Sequence, residues 1–460
     1  MVARIPQKVL VVGGGVSGLA TAFEMLRLAR ERGEPLTVRV LESEPWVGGK
    51  LRSRKQDGFL IEEAANGWLR ATGTTDALCE AVGCGPNIVQ ANEAAGERYL
   101  VAKGVLRALP TSPFKLAASD LLSIAGRLRV AKEPFIAPPV GTEDESIASF
   151  GRRRFGPEAT ELFVDPMVTG VYAGDPERLS FPSCFPKLAA LERTHGSLIK
   201  GMMAVRKAGT GDGGSVPDSR RLTSLGAGMG SMCEALRVAL GDAVRCGGRV
   251  VRVEQVGGAY RVHFADGTTE EGDAVVVATP AEAAARMLAS LDDPLAREIG
   301  GITYNAVAVV ALAFPADAVK VRGFGFLAPH RERRRILGTL VETNVFAGRA
   351  PTGYVLTRTM VGGTRTRELL EASDDELVTG VRNELADLAN ILARPTLVQV
   401  IRHPRAIAQY EVGHAARLTR IDGRLANHPG LYLTGGAYRG VSVNDCIADA
   451  TATAKRVLAV

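Results

Sequence analysis

The sequence predicts an α/β fold with a parallel nucleotide-binding sheet, on three observations. An apolar run breaks into spaced glycines and then a helix over Lys8–Leu26. A second strand ending in a carboxylate follows at Leu36–Glu42, and a strand–glycine–helix unit closes the chain from Gly430 to Leu458.

Val9–Val12 are the aliphatic run of a buried parallel strand. Gly13, Gly15 and Gly18 then keep the G-x-G-x-x-G spacing, with Gly14, Val16 and Ser17 between them. The first glycine permits a tight turn, the second lets a pyrophosphate approach the backbone, and the third lets helix and strand pack closely. The helix N-terminus so formed points at the phosphates. Leu19, Ala22, Phe23 and Leu26 share one face of that helix, which predicts a Rossmann-like unit. Glu42 ends the second strand, further from Gly18 than the usual spacing of roughly 20 residues. A carboxylate there accepts ribose hydroxyls and repels a 2′-phosphate, which favours NAD or FAD over NADP.

Two more glycine turns choose between those cofactors. Gly48 and Gly49 stand beside Lys50, which can reach a phosphate or a flavin edge. Gly435 and Gly436 follow the strand Leu431–Thr434, and Asn444 or Asp445 is the expected cap of the next helix. Turns at both ends of the chain suit both edges of one large cofactor, and therefore FAD.

Between these ends, Gly272–Leu288 reads as another strand, turn and helix. The preceding segment alternates in period two, with turns at Gly257-Gly258 and Asp266-Gly267, the pattern of a β-meander. Lys207–Arg221 is rich in glycine, serine and proline and is the most linker-like segment.

At 460 residues and 46% hydrophobic content the chain is globular and long enough for two or three domains. Its longest apolar run, Ala306–Phe314, falls far short of the roughly 20 residues that span a bilayer. The strand begins too early for a signal peptide, so a cytoplasmic protein is expected. The six cysteines are scattered without C-x-x-C or metal-ligand spacing, which predicts reduced, buried thiols and no metal. A net charge of +6 favours an anionic partner, but no nucleic-acid motif accompanies it, and Arg331–Arg335 reads as a solvated loop. In Phe114–Ile136, Phe114, Ala117, Leu121, Leu122, Ala125 and Leu128 lie at helical spacings among Lys115, Arg127, Arg129 and Lys132. That is either an ordinary packed helix or a basic amphipathic surface resting on anionic membrane.

Further stretches are more specific: "TGVYAGDPERLS" with "PSCFPKLAALERTHGSL" after Phe181, "GFGFLAP" at Gly323–Pro329, "MVGG" at Met360–Gly363, "QYEVGH" at Gln409–His414, and "GGAYRGVSVNDCI". In this order they resemble the oxygen-dependent, FAD-containing protoporphyrinogen oxidases of the amine-oxidase-like flavoprotein superfamily, nearly end to end. The resemblance implies a discontinuous FAD domain (1–70, 220–290, 406–460). It also implies a mixed-sheet substrate domain (71–91, 206–219, 291–405) and a helical, membrane-facing domain (92–205). It implies noncovalent FAD held by Gly13–Gly18, Glu42, Ser43, Gly49, Lys50, Ala65, Asn66, Gly67, Trp68, Val250, Gly436, Val441, Ser442 and Val443. The macrocycle is expected against Leu327, Leu340 and Met360, with the Gly170 backbone at its reacting face and Asn66 facing a propionate.

Such chemistry needs no nucleophile or carboxylate pair. Each methylene bridge of a porphyrinogen donates hydride to flavin, oxygen takes the electrons, and three turnovers remove six; the protein binds and orients. His195 and His414 accordingly read as buried, hydrogen-bonded structural residues. The expected partners are porphyrinogen and dioxygen, with peripheral contact to anionic membrane and with self-association as a homodimer left open. Alternatives are a coproporphyrinogen III oxidase, an amine or carotenoid-type oxidoreductase, and a porphyrin-binding flavoprotein without catalysis. Four positions depart from the family pattern. Ala64-Ala65 replaces a Gly-Pro pair, Ala408 a proline and His403 a tryptophan. Alanine takes φ > 0 less easily than glycine, so displacement of the turn at Ala64 is expected.

Overall fold

Val9, Leu10 and Val11 are wholly shielded from solvent. They form the middle of an all-parallel five-stranded sheet in the computed structural model, which describes residues 6–70, 73–110, 119–137, 144–209 and 222–459. The strand order is Val244–Arg245, Thr37–Leu41, Lys8–Val12, Ala274–Val277, Leu431–Leu433. A strand buried on both faces must be apolar throughout, which is why these read as continuous runs. The helix Val16–Glu31 packs against the C-terminal helix Val443–Val457 and against Gly230–Leu240. The meander is a three-stranded antiparallel sheet, Val250–Val256, Ala259–Phe264 and Thr269–Gly272, turning through positive φ at Gly257, Gly258 and Gly267.

Contacts divide the chain into two units: 1–90, 219–303 and 416–460 in the first, 91–218 and 304–415 in the second. The first keeps residues 73–90, which the sequence reading placed with the substrate domain (71–91). Its helix Thr74–Ala81 packs on Val443–Val457, and Asn444 Nδ2 donates to the Leu69 carbonyl at 2.6 Å.

The second unit is built on a seven-stranded mixed sheet, ordered Leu397–Ala408, Tyr304–Pro315, Tyr354–Gly362, Gly338–Val341, Gly325–Leu327, Tyr99–Ala102, Val105–Ala108. All neighbours are antiparallel except Gly325–Leu327 and Tyr99–Ala102. Alternation sends Ala308, Val310, Leu312, Phe314, Phe326 and Val361 to one face, where they pack with Leu377, Val381 and Leu385 of the helix Asp374–Ala389. The register Leu327↔Gly338↔Met360 and Gly325↔Leu340↔Arg358 puts Leu327, Leu340 and Met360 on the opposite face.

The helical segment is part of this unit and not a separate body. Leu100 and Ala102 of the sheet share a core cluster with Leu121, Leu122, Ala159 and Leu162. Within it the fully buried Arg154 pairs with Glu192 and donates to the carbonyls of Ile136 and Gly196 at 2.9 Å each. Glu133, also fully buried, accepts the Leu198 and Ile199 amides at 2.9 and 3.2 Å, closing the N-terminus of the helix Leu198–Gly209.

The amphipathic stripe is not one helix. Phe114, Lys115 and Ala117 lie outside the described residues. The described helix is Ile124–Ala131, and its N-cap Ser123 accepts the Gly126 amide at 3.0 Å. Leu121 and Leu122 precede that cap and are buried, whereas Ile124 and Leu128 inside the helix are exposed. Of the expected linker, 207–209 complete the helix Leu198–Gly209 and 210–221 lie outside the described residues. His414 is buried and stacked on Tyr410, ring centroids 4.1 Å apart. His195, expected to be buried, is exposed at the last turn of the helix Pro186–His195.

Candidate functional site

In the first unit the three glycines of the first loop meet three different surroundings. Gly13 turns at φ +112°, and a Cβ there would lie 3.0 Å from the Ala278 carbonyl oxygen. At Gly18 a Cβ would come within 1.9 Å of the Gly13 oxygen, so helix and strand approach only with glycine. Gly15 caps the helix Val16–Glu31, and a Cβ there meets nothing within 4 Å. Open space thus fronts a helix N-terminus whose amides lack partners within the helix, the feature that receives a phosphate.

Glu42 is buried behind this loop. Its Oε2 accepts the Gly14 amide at 2.6 Å, and its Oε1 accepts the Glu44 amide at 2.8 Å and the Ser43 hydroxyl at 3.0 Å. The carboxylate therefore shapes the loop, and its Oε2 retains a second lone pair. The Gly48 amide donates to Gly14 O at 2.8 Å, running the Gly48–Lys50 turn beside the first loop. A Cβ on Gly435 would lie 3.6 Å from Ser17 Oγ, which brings the C-terminal turn to the same place. Gly436 is in turn next to Val441 and Cys446.

The cap of the last helix is Ser442, whose hydroxyl accepts the Asp445 amide at 3.1 Å. Asn444 and Asp445, the expected caps, occupy the first turn instead; Asn444 reaches back to Leu69. Asp449, missed in the sequence, is buried and holds the turn by accepting the Thr434 hydroxyl at 2.8 Å and the Gly435 amide at 3.1 Å through Oδ2.

Gly67 and Trp68 serve packing. A Cβ on Gly67 would stand 2.2 Å from Thr223 O, and the buried Trp68 donates its indole N–H to Asp76 at 2.8 Å. Val250 starts a meander strand opposite Phe264. Ala64 and Ala65 are not among the described residues with positive φ, so the departure from Gly-Pro carries no left-handed strain. Among the described residues, the buried polar atoms without a hydrogen-bond partner include Asn66 Nδ2 and Thr279 Oγ1, whose methyl lies against the Gly13 position. Orphaned donors are costly in a finished core and are expected where a ligand completes them. The open cradle and these orphans fit FAD.

Burial raises the Cys446 thiol beside Gly436 to about 11, against a hydrogen bond with Ser17 and the charge of Lys50. It raises Cys184 and Cys233 to about 12 each. All three thiols should resist iodoacetamide at pH 8 in the folded protein and react once it is unfolded, as mass spectrometry of the labelled chain will record.

In the second unit, Leu327, Leu340 and Met360 are only half-buried although they stand in the middle of a sheet. Gly170 lies on the helix Asp165–Tyr172, and a Cβ there would sit 3.2 Å from Leu327 Cδ2. Met167, Gly170 and Val171 are the exposed positions of that helix, one turn apart on a single face. An apolar plane and a helix face thinned at glycine thus flank one another. The sequence reading missed Arg358, which lies across from Leu340 on the same sheet face and is 3.0 Å from the buried Glu342.

The flavin containing amine oxidoreductase family matches residues 16–458. Coproporphyrinogen III oxidase of Bacillus subtilis (strain 168) is 32% identical over 452 residues, 95% of each chain. The mitochondrial protoporphyrinogen oxidase of Nicotiana tabacum is 30% identical, over 98% of this chain and 95% of the relative. A crystal structure from Exiguobacterium sp. 255-15, provisionally called a protoporphyrinogen oxidase, has a TM-score of 0.85 at 26% identity, covering 98% of this chain and 99% of the other. Reduced UDP-galactopyranose mutase, at 17% identity and a TM-score of 0.72, shares the fold alone.

Proposed function

The chain belongs to the flavin containing amine oxidoreductase family, and from that membership we propose that it oxidises a porphyrinogen to the porphyrin, with noncovalent FAD and dioxygen as acceptor. The observation that carries this reading is similarity along at least 95% of the chain to enzymes named for porphyrinogen oxidation. Bound FAD supplies the two-electron acceptor that the substrate's methylene bridges need and returns the electrons to oxygen as peroxide.

The chain's own part is to bind and orient. The amides at the start of Val16–Glu31 take the pyrophosphate across Gly15, and Glu42 takes the ribose. Asn66 and Thr279 offer the buried polar atoms that lack protein partners. Leu327, Leu340 and Met360 offer an apolar plane to the macrocycle, and Gly170 removes the side chain that would stand closest to it.

The purified protein should be yellow and should release FAD on acid precipitation; a colourless protein that cannot be reconstituted contradicts the reading. Of the two substrates, protoporphyrinogen IX is the first reading. Coproporphyrinogen III is the second, favoured by the 32% identity to the Bacillus enzyme. Porphyrin fluorescence measured on both at equal enzyme gives the ratio of kcat/KM, and turnover of neither removes the proposal.

Peripheral membrane contact is part of the same proposal. Ile124, Leu128, Phe135, Met202 and Met203 are exposed apolar residues beside the exposed Lys132 and Lys200. Among the described residues no helix is long and apolar enough to cross a membrane. Binding to anionic vesicles should exceed binding to neutral ones and should weaken at 1 M salt, where the Debye length is about 3 Å. Equal partitioning onto both contradicts the contact.

A further inference from the structure

The helix carrying Gly170 is held by a side chain almost two hundred residues away. Arg365 Nη2 donates to Asp165 Oδ2 and Thr169 Oγ1 at 2.6 Å each, and its Nη1 donates to the Ala328 carbonyl at 2.6 Å. Asp165 Oδ2 also accepts the His330 amide at 2.8 Å. Asp165 and Thr169 are buried, one turn apart on the helix Asp165–Tyr172, and Ala328 directly follows Leu327. One planar guanidinium therefore ties the residue before Gly170 to the residue after Leu327, inside a nearly closed environment.

The same segment grips the end of the helix. Thr364 N–H donates to Ala173 O at 3.0 Å, and Asn305 Nδ2 donates to it at 2.7 Å. Gly363 presses so close that a Cβ there would stand 2.4 Å from that oxygen. Ala173 itself turns left-handed at φ +48° to end the helix.

The helix needs such a hold. It is entered through the π-helical turn Thr160–Val164. A π turn carries an additional residue, and one residue turns everything after it by about 100° around the axis. The rotation that presents Gly170 to Leu327 is thus set by a rare single-turn element, and Arg365 fixes the helix from outside.

We propose that Arg365 is a positioning residue that sets the spacing between the Gly170 backbone and the Leu327, Leu340 and Met360 plane. This rests on the reading of those residues as the porphyrinogen site. A lysine keeps the charge but cannot span three acceptors from two coplanar nitrogens. Displacement of about 1 Å between reacting groups costs on the order of 100-fold. Arg365→Lys should therefore lower kcat per bound flavin by about ten-fold or more, with FAD content unchanged. Thr169→Val, which keeps the shape and loses one acceptor, should give a smaller loss.

Two readouts decide the proposal: kcat per flavin with porphyrinogen, and hydrogen exchange of the Thr169–Ala173 amides. Faster exchange in Arg365→Lys together with the fall in kcat supports it. Faster exchange with unchanged kcat overturns it, leaving Arg365 merely structural, and so does unchanged exchange. If the wild type turns over no porphyrinogen, the reading of the site fails on its own, and unchanged exchange at Thr169–Ala173 still overturns the clamp.

Discussion

Gly15→Val is expected to fold normally and to lose FAD. A Cβ at Gly15 meets no protein atom within 4 Å, so the substitution introduces no clash with the chain. The space it fills lies at the helix N-terminus, where the pyrophosphate would have to approach. Denying that approach should weaken FAD by at least about 100-fold, or roughly 3 kcal/mol. Gly18→Val behaves differently, because its Cβ would meet the Gly13 carbonyl at 1.9 Å. It should lose stability and flavin together. Thermal unfolding of the flavin-stripped proteins, beside flavin absorbance as purified, separates the two. Wild-type occupancy in Gly15→Val means that the phosphates do not pass this glycine.

Leu340→Asn should raise the apparent KM for porphyrinogen while FAD content stays near wild type. Leu340 is half-buried on the sheet face it shares with Leu327 and Met360, so part of its apolar surface remains for a macrocycle to cover. Full burial of such a side chain contributes roughly 1.5–3 kcal/mol, about one to two powers of ten in affinity at most. If Leu340 only packs, the substitution lowers the melting temperature and flavin occupancy and leaves KM alone. An unchanged KM in a stable, flavin-replete variant removes Leu340 from the site.

What the sequence disclosed was local. Val9–Gly18 carries strand, turn and helix within a few residues, and the close contact of Gly18 with Gly13 follows from that spacing. The meander was legible from alternation between Val250 and Gly272 for the same reason. The errors arose where a pattern crossed a boundary or a partner was distant. Leu121, Leu122 and Leu128 keep helical spacing, but Ser123 starts a new helix between them, which sends the first two inward and the last outward. Ser442 outcompeted Asn444 as a cap because Asn444 is drawn to Leu69, far away in sequence. Arg365 and Asp449 were invisible because a buried polar residue is recognised only by partners that the fold brings to it. The division between helical and sheet parts also depended on such contacts, through Leu100 and Leu162.

The central claim is that porphyrinogen gives its electrons to a flavin held by this chain. Anaerobic mixing of the flavin-replete protein with porphyrinogen tests it most directly, since the spontaneous reaction of porphyrinogen with oxygen is absent. The account predicts that the visible flavin absorbance bleaches within the mixing experiment and returns when oxygen is admitted, with peroxide formed and porphyrin fluorescence rising on repeated cycles. Flavin that stays oxidised in the presence of both porphyrinogens contradicts it.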